Sequence, residues 1–332
     1  MKNNTISMDQ KKVLVTGAGG FIGSHLTEKL VELGADVRAL VHYNSLGRCG
    51  WLDSSPLRSG IRIIAGDITD RDCMVAAMKD RELVFHLASL IAIPYSYRAP
   101  ESYVHTNIGG ALTIMQAARD LGSVKVIHTS TSEVYGSAQY TPIDEKHPLV
   151  GQSPYSASKI GADKMVESFH LAFGVPAVTV RPFNTFGPRQ SQRAVVPTII
   201  LQCMQGNEIH LGSVLPTRDL NYIEDTVDGF IRAACFDEAL GRTINLGSGA
   251  EVSIASLAHL IGRLMDREVK ITSDDARLRP EKSEVERLLA DASLAKEIIQ
   301  WQPQFSLEDG LTRTIDWFRK NHHRYLANEY VL

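Results

Sequence analysis

The chain has few cysteines: four in 332 residues, Cys49, Cys73, Cys203 and Cys235. They stand far apart and form no CxxC pair, so neither a disulfide framework nor a zinc site follows. Charge of either sign is nearly absent in excess, with 35 Lys and Arg against 38 Asp and Glu leaving a net −3. The basic residues are scattered, which excludes the basic field of a nucleic-acid binder. No apolar run approaches the ~20 residues of a transmembrane helix. Met1 to Gln10 are polar and predict a frayed extension rather than a signal peptide, with Met8 as an alternative start. Internal repeats and low-complexity linkers are absent. What is there is a 44% hydrophobic chain, long enough for one large domain or two smaller ones. A reduced, cytoplasmic enzyme is the simplest class.

Strand and helix patterns alternate through the first half. Residues 12–16, 36–41, 61–65, 83–87, 125–129 and 177–181 read as β-branched or apolar strands, and 21–33, 104–121 and 158–173 have helical spacing. This predicts a parallel sheet with right-handed crossovers, covered on both faces. After Arg181 the rhythm changes. Residues 194–205, 253–265 and 306–321 read as helices, 209–211 as a short strand, and 243–247 as a strand returning to the sheet. The expected division is a dinucleotide-binding part over 8–185, with a return segment near 222–248, and a smaller discontinuous substrate part over 186–332. The cleft between them is the expected site.

Gly17-Ala18-Gly19-Gly20-Phe21-Ile22-Gly23 joins the first strand to the first helix. Gly17 permits a tight turn and Gly20 lets a pyrophosphate approach the backbone. Gly23 lets the helix pack on the sheet, with its N-terminal amides facing the anion. The spacing is GxxGxxG rather than GxGxxG, and the competing reading is an ordinary turn. Asp67, ending the third strand, fits a hydrogen bond to an adenine amine or a helix N-cap. Leu87 and Ala88, ending the fourth, lie under the cofactor or in plain core. The second strand ends in Val41-His42-Tyr43-Asn44, with Arg48 beyond, and offers no carboxylate for an adenosine 2′-hydroxyl. His42 and Arg48 suit a 2′-phosphate, a weak lean to NADP over NAD; Arg48 as a solvated loop charge is the alternative.

Thr131-Ser132-Glu133 follows the fifth strand, and Tyr155-Ser156-Ala157-Ser158-Lys159 opens a helix. Tyr155 and Lys159 are i and i+4 on one face. A cation beside a phenol favours the phenolate and makes it a usable base near neutral pH. Asn184, Arg189, Arg218 and Arg279 are candidate donors to an anionic ligand in later loops, with a solvated loop charge as the alternative for Arg189. Tyr95 and Tyr97 read as pocket lining or as core.

At these motifs the chain resembles the extended short-chain dehydrogenase/reductases of the nucleotide-sugar epimerase/dehydratase type. The residues carrying the likeness are VTGAGGFIGSHL (15–26), GDITD (66–70), FHLAS (85–89), TNIGG (106–110), STSEVYG (130–136), PYSASK (154–159), RPFNTFGPRQ (181–190) and YIEDT (222–226). Within that group it is most similar to 4,6-dehydratases of legionaminic-acid type pathways, on SLIAIPYSYRAPESYVHTNI, HTSTSEVYGSAQYTPIDEKHPL and RLRPEKSEVERLL. The resemblance implies an α/β fold, a Rossmann-type doubly wound parallel sheet with a smaller, discontinuous mixed α/β substrate domain.

The resemblance also implies NAD(P), tightly bound and recycled. Gly17, Gly20, Phe21, Ile22, Gly23, His42, Asn44, Arg48, Asp67, Ile68, Leu87, Ala88, Thr106, Tyr155 and Lys159 would hold it. Thr131, Ser132, Glu133, Tyr155 and Lys159 are the implied catalytic set. Asn184, Arg218 and Arg279 are the best-supported substrate donors. The implied substrate is UDP- or GDP-linked N-acetylglucosamine, and the implied assembly a homodimer through the helices around 98–120 and 156–173. The alternatives are a UDP-glucuronate decarboxylase, a nucleotide-sugar C4 epimerase and, remotely, a non-catalytic NAD(P)-binding regulator.

Overall fold

A computed structural model describes residues 6–278 and 280–325. Strand β1 (Lys12–Thr16) leads into α1 (Phe21–Glu32), then β2 (Asp36–His42), β3 (Ile61–Gly66), α2 (Arg71–Met78) and β4 (Leu83–His86). Two single-turn helices, α3 (Ile93–Ser96) and α4 (Pro100–Tyr103), run through a π-helical stretch, Val104–Gly109, into α5 (Gly110–Leu121). Strand β5 (Lys125–Thr129), α6 (Pro154–Phe173) and β6 (Ala177–Pro182) complete the first half. Then come β7 (Asn184–Phe186), α7 (Val195–Gln205), β8 (Glu208–Leu211), β9 (Thr217–Tyr222), α8 (Ile223–Cys235) and β10 (Thr243–Leu246). The remainder is β11 (Glu251–Ser253), α9 (Ile254–Leu264), β12 (Lys270–Ser273), β13 (Arg287–Leu288), α10 (Ser293–Ile299) and α11 (Leu307–Asn321).

Seven strands form one parallel sheet in the order β10-β6-β5-β4-β1-β2-β3. The order reverses between β1 and β4, so the chain leaves the two strands toward opposite sides and opens a crevice at their carboxyl ends. Alternation along each strand divides the core. Val13, Val15, Phe85 and Ile127 join one apolar cluster, while Leu14, Val84 and Val126 join another on the opposite face. This is the doubly covered sheet that the unbroken apolar strands predict. Among the described residues, no helix is long and apolar enough to cross a membrane.

Three expectations are corrected. Residues 6–10 are not frayed: Met8 is buried in the core, and the Gln10 N–H donates to the Gly34 carbonyl at 2.9 Å. The helix expected over 104–121 is α-helical only from Gly110. Its wider preceding turn contains Asn107, whose side-chain oxygen accepts from the Leu90 N–H at 2.8 Å and whose amide donates to Leu90 O and to Ser158 Oγ. Helix α6 also begins earlier than its apolar spacing indicates. Ser153 and Ser156 form a reciprocal capping box around Pro154, which carries the helix start up to Tyr155. The remaining strands build smaller sheets, with β9 at the centre of β7, β11 and β13, and β8 paired with β12.

Candidate active site

A cleft of about 1260 Å³ lies over the carboxyl ends of β1, β4 and β5. The glycine turn forms one wall. Gly17 has φ +67°, and a Cβ there would come within 2.8 Å of Ala88 N. A Cβ on Gly23 would sit 2.2 Å from the Gly17 carbonyl oxygen, so α1 can start this close to the turn only with glycine. The α1 N-cap, Gly20, has no side-chain cap, which leaves the first-turn amides facing the cleft for an anion. Thr16 locks the turn to β4: its Oγ1 accepts from the Leu87 and Ala88 N–H groups, each at 3.1 Å, and contacts His86 Nδ1 at 3.0 Å. With both lone pairs of Thr16 Oγ1 occupied, its proton goes to Nδ1, so His86 carries its hydrogen on Nε2.

Gly17, Gly20, Phe21, Ile22, Gly23, His42, Asn44, Arg48, Asp67, Ile68, Leu87, Ala88 and Thr106 all line this cleft. Asp67 is not a helix cap; its Oδ1 accepts from Thr69 N–H and Oγ1, each at 2.8 Å, and Asp70 caps α2 instead. The β2 end is not free of acid in three dimensions. His42 Nε2 lies 3.6 Å from Asp67 Oδ2, and Arg48 Nη1 4.0 Å from Asp53 Oδ2. Sequence distance hides both pairs, and they weaken the basis for a 2′-phosphate site. Asn44 does not project free either: it holds the Arg48 backbone at N–H and O.

Thr131, Ser132, Glu133, Tyr155 and Lys159 line the same cleft. Thr131 accepts from the Glu133 N–H at 3.2 Å, and its hydroxyl favours the ionised form of the Tyr155 phenol. Burial pushes the Tyr155 phenol up, the Thr131 hydroxyl offsets part of this, and the Glu133 charge adds to the rise. Lys159 does not hydrogen-bond the phenol. Its Nζ donates to the Thr129 carbonyl at 2.5 Å, and burial brings its ammonium down to about 8. Removal from water is the largest influence on the phenol, with Thr131, Glu133, Tyr103 and Asp163 acting after it. Tyr103, missed in the sequence, packs edge-on to Tyr155 with ring centroids 6.2 Å apart.

The substrate end is less uniform. Asn184 lines the cleft, and its Oδ1 is buried with no hydrogen-bond partner among the described residues. Arg218 also lines it, with its guanidinium already bonded to Glu284 at 3.0 Å. Arg279 lies outside the described residues. Arg189 points elsewhere: it donates to Ser24 Oγ and pairs with Glu28 at 2.9 Å on α1, so it is neither a phosphate donor in the cleft nor a solvated charge. Tyr97 lines the cleft and bonds Ser283 Oγ at 2.5 Å, whereas Tyr95 is exposed outside it. Arg98 and Arg193 both reach the cleft wall.

Residues 14–314 match the family described as GDP-mannose 4,6 dehydratase. Among curated relatives, the UDP-glucose 4-epimerase of Mycolicibacterium smegmatis is 31% identical over 93% of this chain and 98% of its own. The UDP-N-acetyl-alpha-D-glucosaminuronate decarboxylase of Bacillus cytotoxicus is 32% identical over 94% of this chain and 98% of its own. In structure, a double mutant of the dTDP-glucose 4,6-dehydratase DesIV from Streptomyces venezuelae, solved with NAD bound, superposes with a TM-score of 0.84. That match is 27% identical over 95% of this chain and 98% of the other. The chain belongs to this family of NAD-dependent nucleotide-sugar dehydratases, epimerases and decarboxylases.

Proposed function

We propose that this member of the GDP-mannose 4,6 dehydratase family is a nucleotide-sugar 4,6-dehydratase that acts on UDP- or GDP-linked N-acetylglucosamine. One observation carries the reading: Glu133 and Tyr155 line one cleft, with Thr131 beside them accepting from the Glu133 N–H, and the carboxylate's charge acts on the phenol. An oxidation alone has no use for that carboxylate, whereas an elimination needs a second base.

The residues fit a nicotinamide dinucleotide. The glycine turn leaves no room for Cβ atoms, α1 offers uncapped amides, and Thr129 Oγ1 and Asn184 Oδ1 are buried without a partner among the described residues. Gly17 to Gly23, Asp67, Ile68, Leu87, Ala88 and Thr106 would hold it, with Tyr155 and Lys159 at its reacting end. When bound, it supplies a hydride acceptor that becomes a donor within the same turnover, so it is recycled. Either NAD or NADP is compatible, and the acids beside His42 and Arg48 count against the NADP lean.

In this proposal Tyr155 takes the proton of the sugar 4-hydroxyl while Thr131 hydrogen-bonds the phenol. The resulting 4-ketone acidifies the C5 proton, and Glu133 removes it. Ser132 orients the 6-hydroxyl, Glu133 returns its proton there, and water leaves, which gives a 4-keto-5,6-alkene. Return to C6 of the hydride taken from C4, with a solvent-derived proton at C5, then gives the 4-keto-6-deoxy sugar and restores the oxidised cofactor. Asn184 and Arg218 bind the diphosphate. A homodimer through α5 and α6 is part of the proposal, and sedimentation equilibrium checks it.

Incubation with UDP- and GDP-N-acetylglucosamine, followed by mass spectrometry, tests the reading. The expected result is loss of one water with one solvent deuterium retained at C5. Unchanged mass with inverted C4 would make the protein an epimerase. A decarboxylase is the one second reading with an observation behind it. The Arg193 charge acts on Tyr103, whose ring abuts Tyr155, so a cation lies near the reacting end where a C6 carboxylate would need one. Carbon dioxide release from UDP-glucuronate would establish it instead.

A further inference from the structure

Behind the reacting groups, α6 and the ends of β5 and β6 enclose a polar cluster that the proposed chemistry leaves unused. Asp163 lies one helical turn beyond Lys159, and each is only 4% exposed. Asp163 Oδ2 accepts from Ser130 Oγ at 2.8 Å and from Arg181 Nη2 at 2.9 Å; Oδ1 accepts from His128 Nε2 at 3.2 Å. Arg181 also donates to the Tyr135 hydroxyl at 3.0 Å, which donates to Asn245 at 2.7 Å.

The placement along the chain matters more than the count of bonds. His128 and Ser130 flank Thr129, whose carbonyl holds the Lys159 ammonium. Ser130 directly precedes Thr131, which caps the turn carrying Glu133 and lines the cleft with Tyr155. One carboxylate thus grips alternate residues of a segment whose intervening residues hold the lysine and face the tyrosine's cleft. We propose that Asp163 is a positioning residue for the oxidation step: it clamps the 128–131 segment to α6 and places a buried carboxylate one helical turn from the Lys159 ammonium. The inference rests on the Tyr155–Lys159 reading above.

The surrounding charges are consistent with this. His86 and His128 are held below their usual range by burial, so both are neutral at pH 7. Arg181 faces Asp163 from β6, and Glu133 and Tyr155 stand on the cleft side. Burial lowers the Lys159 ammonium to about 8, and the Asp163 charge acts against that fall. Removing this anion therefore lowers the lysine further. Activity that needs the ammonium is then lost at a lower pH as pH rises.

The test uses the full-length protein with its cofactor and whichever of UDP- or GDP-N-acetylglucosamine turns over. Single-turnover formation of reduced nicotinamide is followed against pH. In Asp163→Asn the alkaline limb moves down by roughly one to two pH units, with substrate KM changed less than about twofold, as expected for a group remote from the sugar. Should Asp163→Asn fail to fold around an unpaired Arg181, the double variant Asp163→Asn, Arg181→Gln removes both charges together and moves the limb in the same direction by a smaller amount, since a cation is lost with the anion. A limb that stays in place in the folded variant, even with a slower rate at every pH, reduces Asp163 to packing and overturns the proposal. Lys159→Met separates the two levels. Wild-type turnover there sinks the active-site reading itself, whereas an inactive Lys159→Met alongside an unmoved Asp163→Asn limb sinks only this inference.

Discussion

Replacing Glu133 with Gln separates the two halves of the proposed reaction, because Glu133 acts on them with opposite sign. As the C5 base it contributes to elimination, and loss of a general base costs roughly 10²–10⁴ in rate, about 3–5 kcal/mol of barrier. As an anion near Tyr155 it opposes oxidation, since its charge raises the phenol's pKa. A like charge disfavours the phenolate, so neutralising Glu133 lowers the Tyr155 pKa and moves the acid limb of the oxidation step to lower pH. The Gln amide is isosteric, and Glu133 contributes its backbone N–H, not its side chain, to the Thr131 bond. The fold of the turn is therefore preserved. Mixed with nucleotide sugar, Glu133→Gln should form reduced nicotinamide at or above the wild-type rate and then stall. The 4-keto sugar should accumulate, and C5 should exchange with deuterated solvent at least a hundredfold more slowly than in wild type. Stopped-flow absorbance and mass spectrometry of the quenched sugar read the two halves separately. Undiminished C5 exchange would falsify the base assignment, and loss of cofactor reduction in a folded variant would show that the two groups do not oppose one another.

Tyr155→Phe should lower turnover by roughly 10²–10⁴ while leaving cofactor affinity within a few-fold, measured by steady-state rates and calorimetric titration. Gly23→Ala places a Cβ 2.2 Å from a backbone oxygen that cannot move aside, and should abolish dinucleotide binding or folding in a thermal melt. Ser153→Ala removes the cap of the helix that carries Tyr155, at a cost of about 1 kcal/mol. That corresponds to a melting temperature roughly 1–2 °C lower by differential scanning calorimetry. With acids beside both His42 and Arg48, titration of the cofactor-free protein should find NAD bound at least as tightly as NADP.

The sheet and its glycine turn were legible because their signals are local. Apolar runs such as Val13–Val15 are buried on both faces wherever they sit, and a strand–glycine–helix junction needs no distant partner to be recognised. Strand β9 was illegible for the opposite reason. Its residues Arg218, Asp219 and Asn221 are buried yet polar, so the stretch reads as a loop. Asp219 is tolerated there because Ser248, Gly249 and Ala290 donate to it from elsewhere in the chain. Helix α8 follows β9 with no turn residue and no side-chain cap at Tyr222, so the period changes without punctuation. In the site, residue types with a short-range pattern were found, Tyr155 with Lys159 above all. Long-range pairings were not: Arg189 to Glu28, Arg218 to Glu284 and Asp163 to His128 join residues that no spacing rule connects.

The mixture of reactions among the relatives is itself informative about which residues decide the outcome. Epimerase, decarboxylase and dehydratase all begin by oxidising a sugar carbinol, so Tyr155, Lys159 and the clamp beneath them serve any of the three equally. Divergence begins only once a ketone exists, and it depends on what lies within reach of the neighbouring carbons. A base at C5 favours elimination, a cation for a C6 carboxylate favours loss of carbon dioxide, and free rotation of the bound sugar favours inversion. This chain places Glu133, Arg98 and Arg193 with Tyr155 on the wall of one cleft. Thr131 accepts from the Glu133 backbone N–H, and Arg193 hydrogen-bonds the nearby Ser191 through its own N–H groups. Of these charges the Glu133 carboxylate acts on the reacting phenol itself, whereas Arg193 acts on the neighbouring Tyr103. On that ground the proposal takes elimination ahead of decarboxylation.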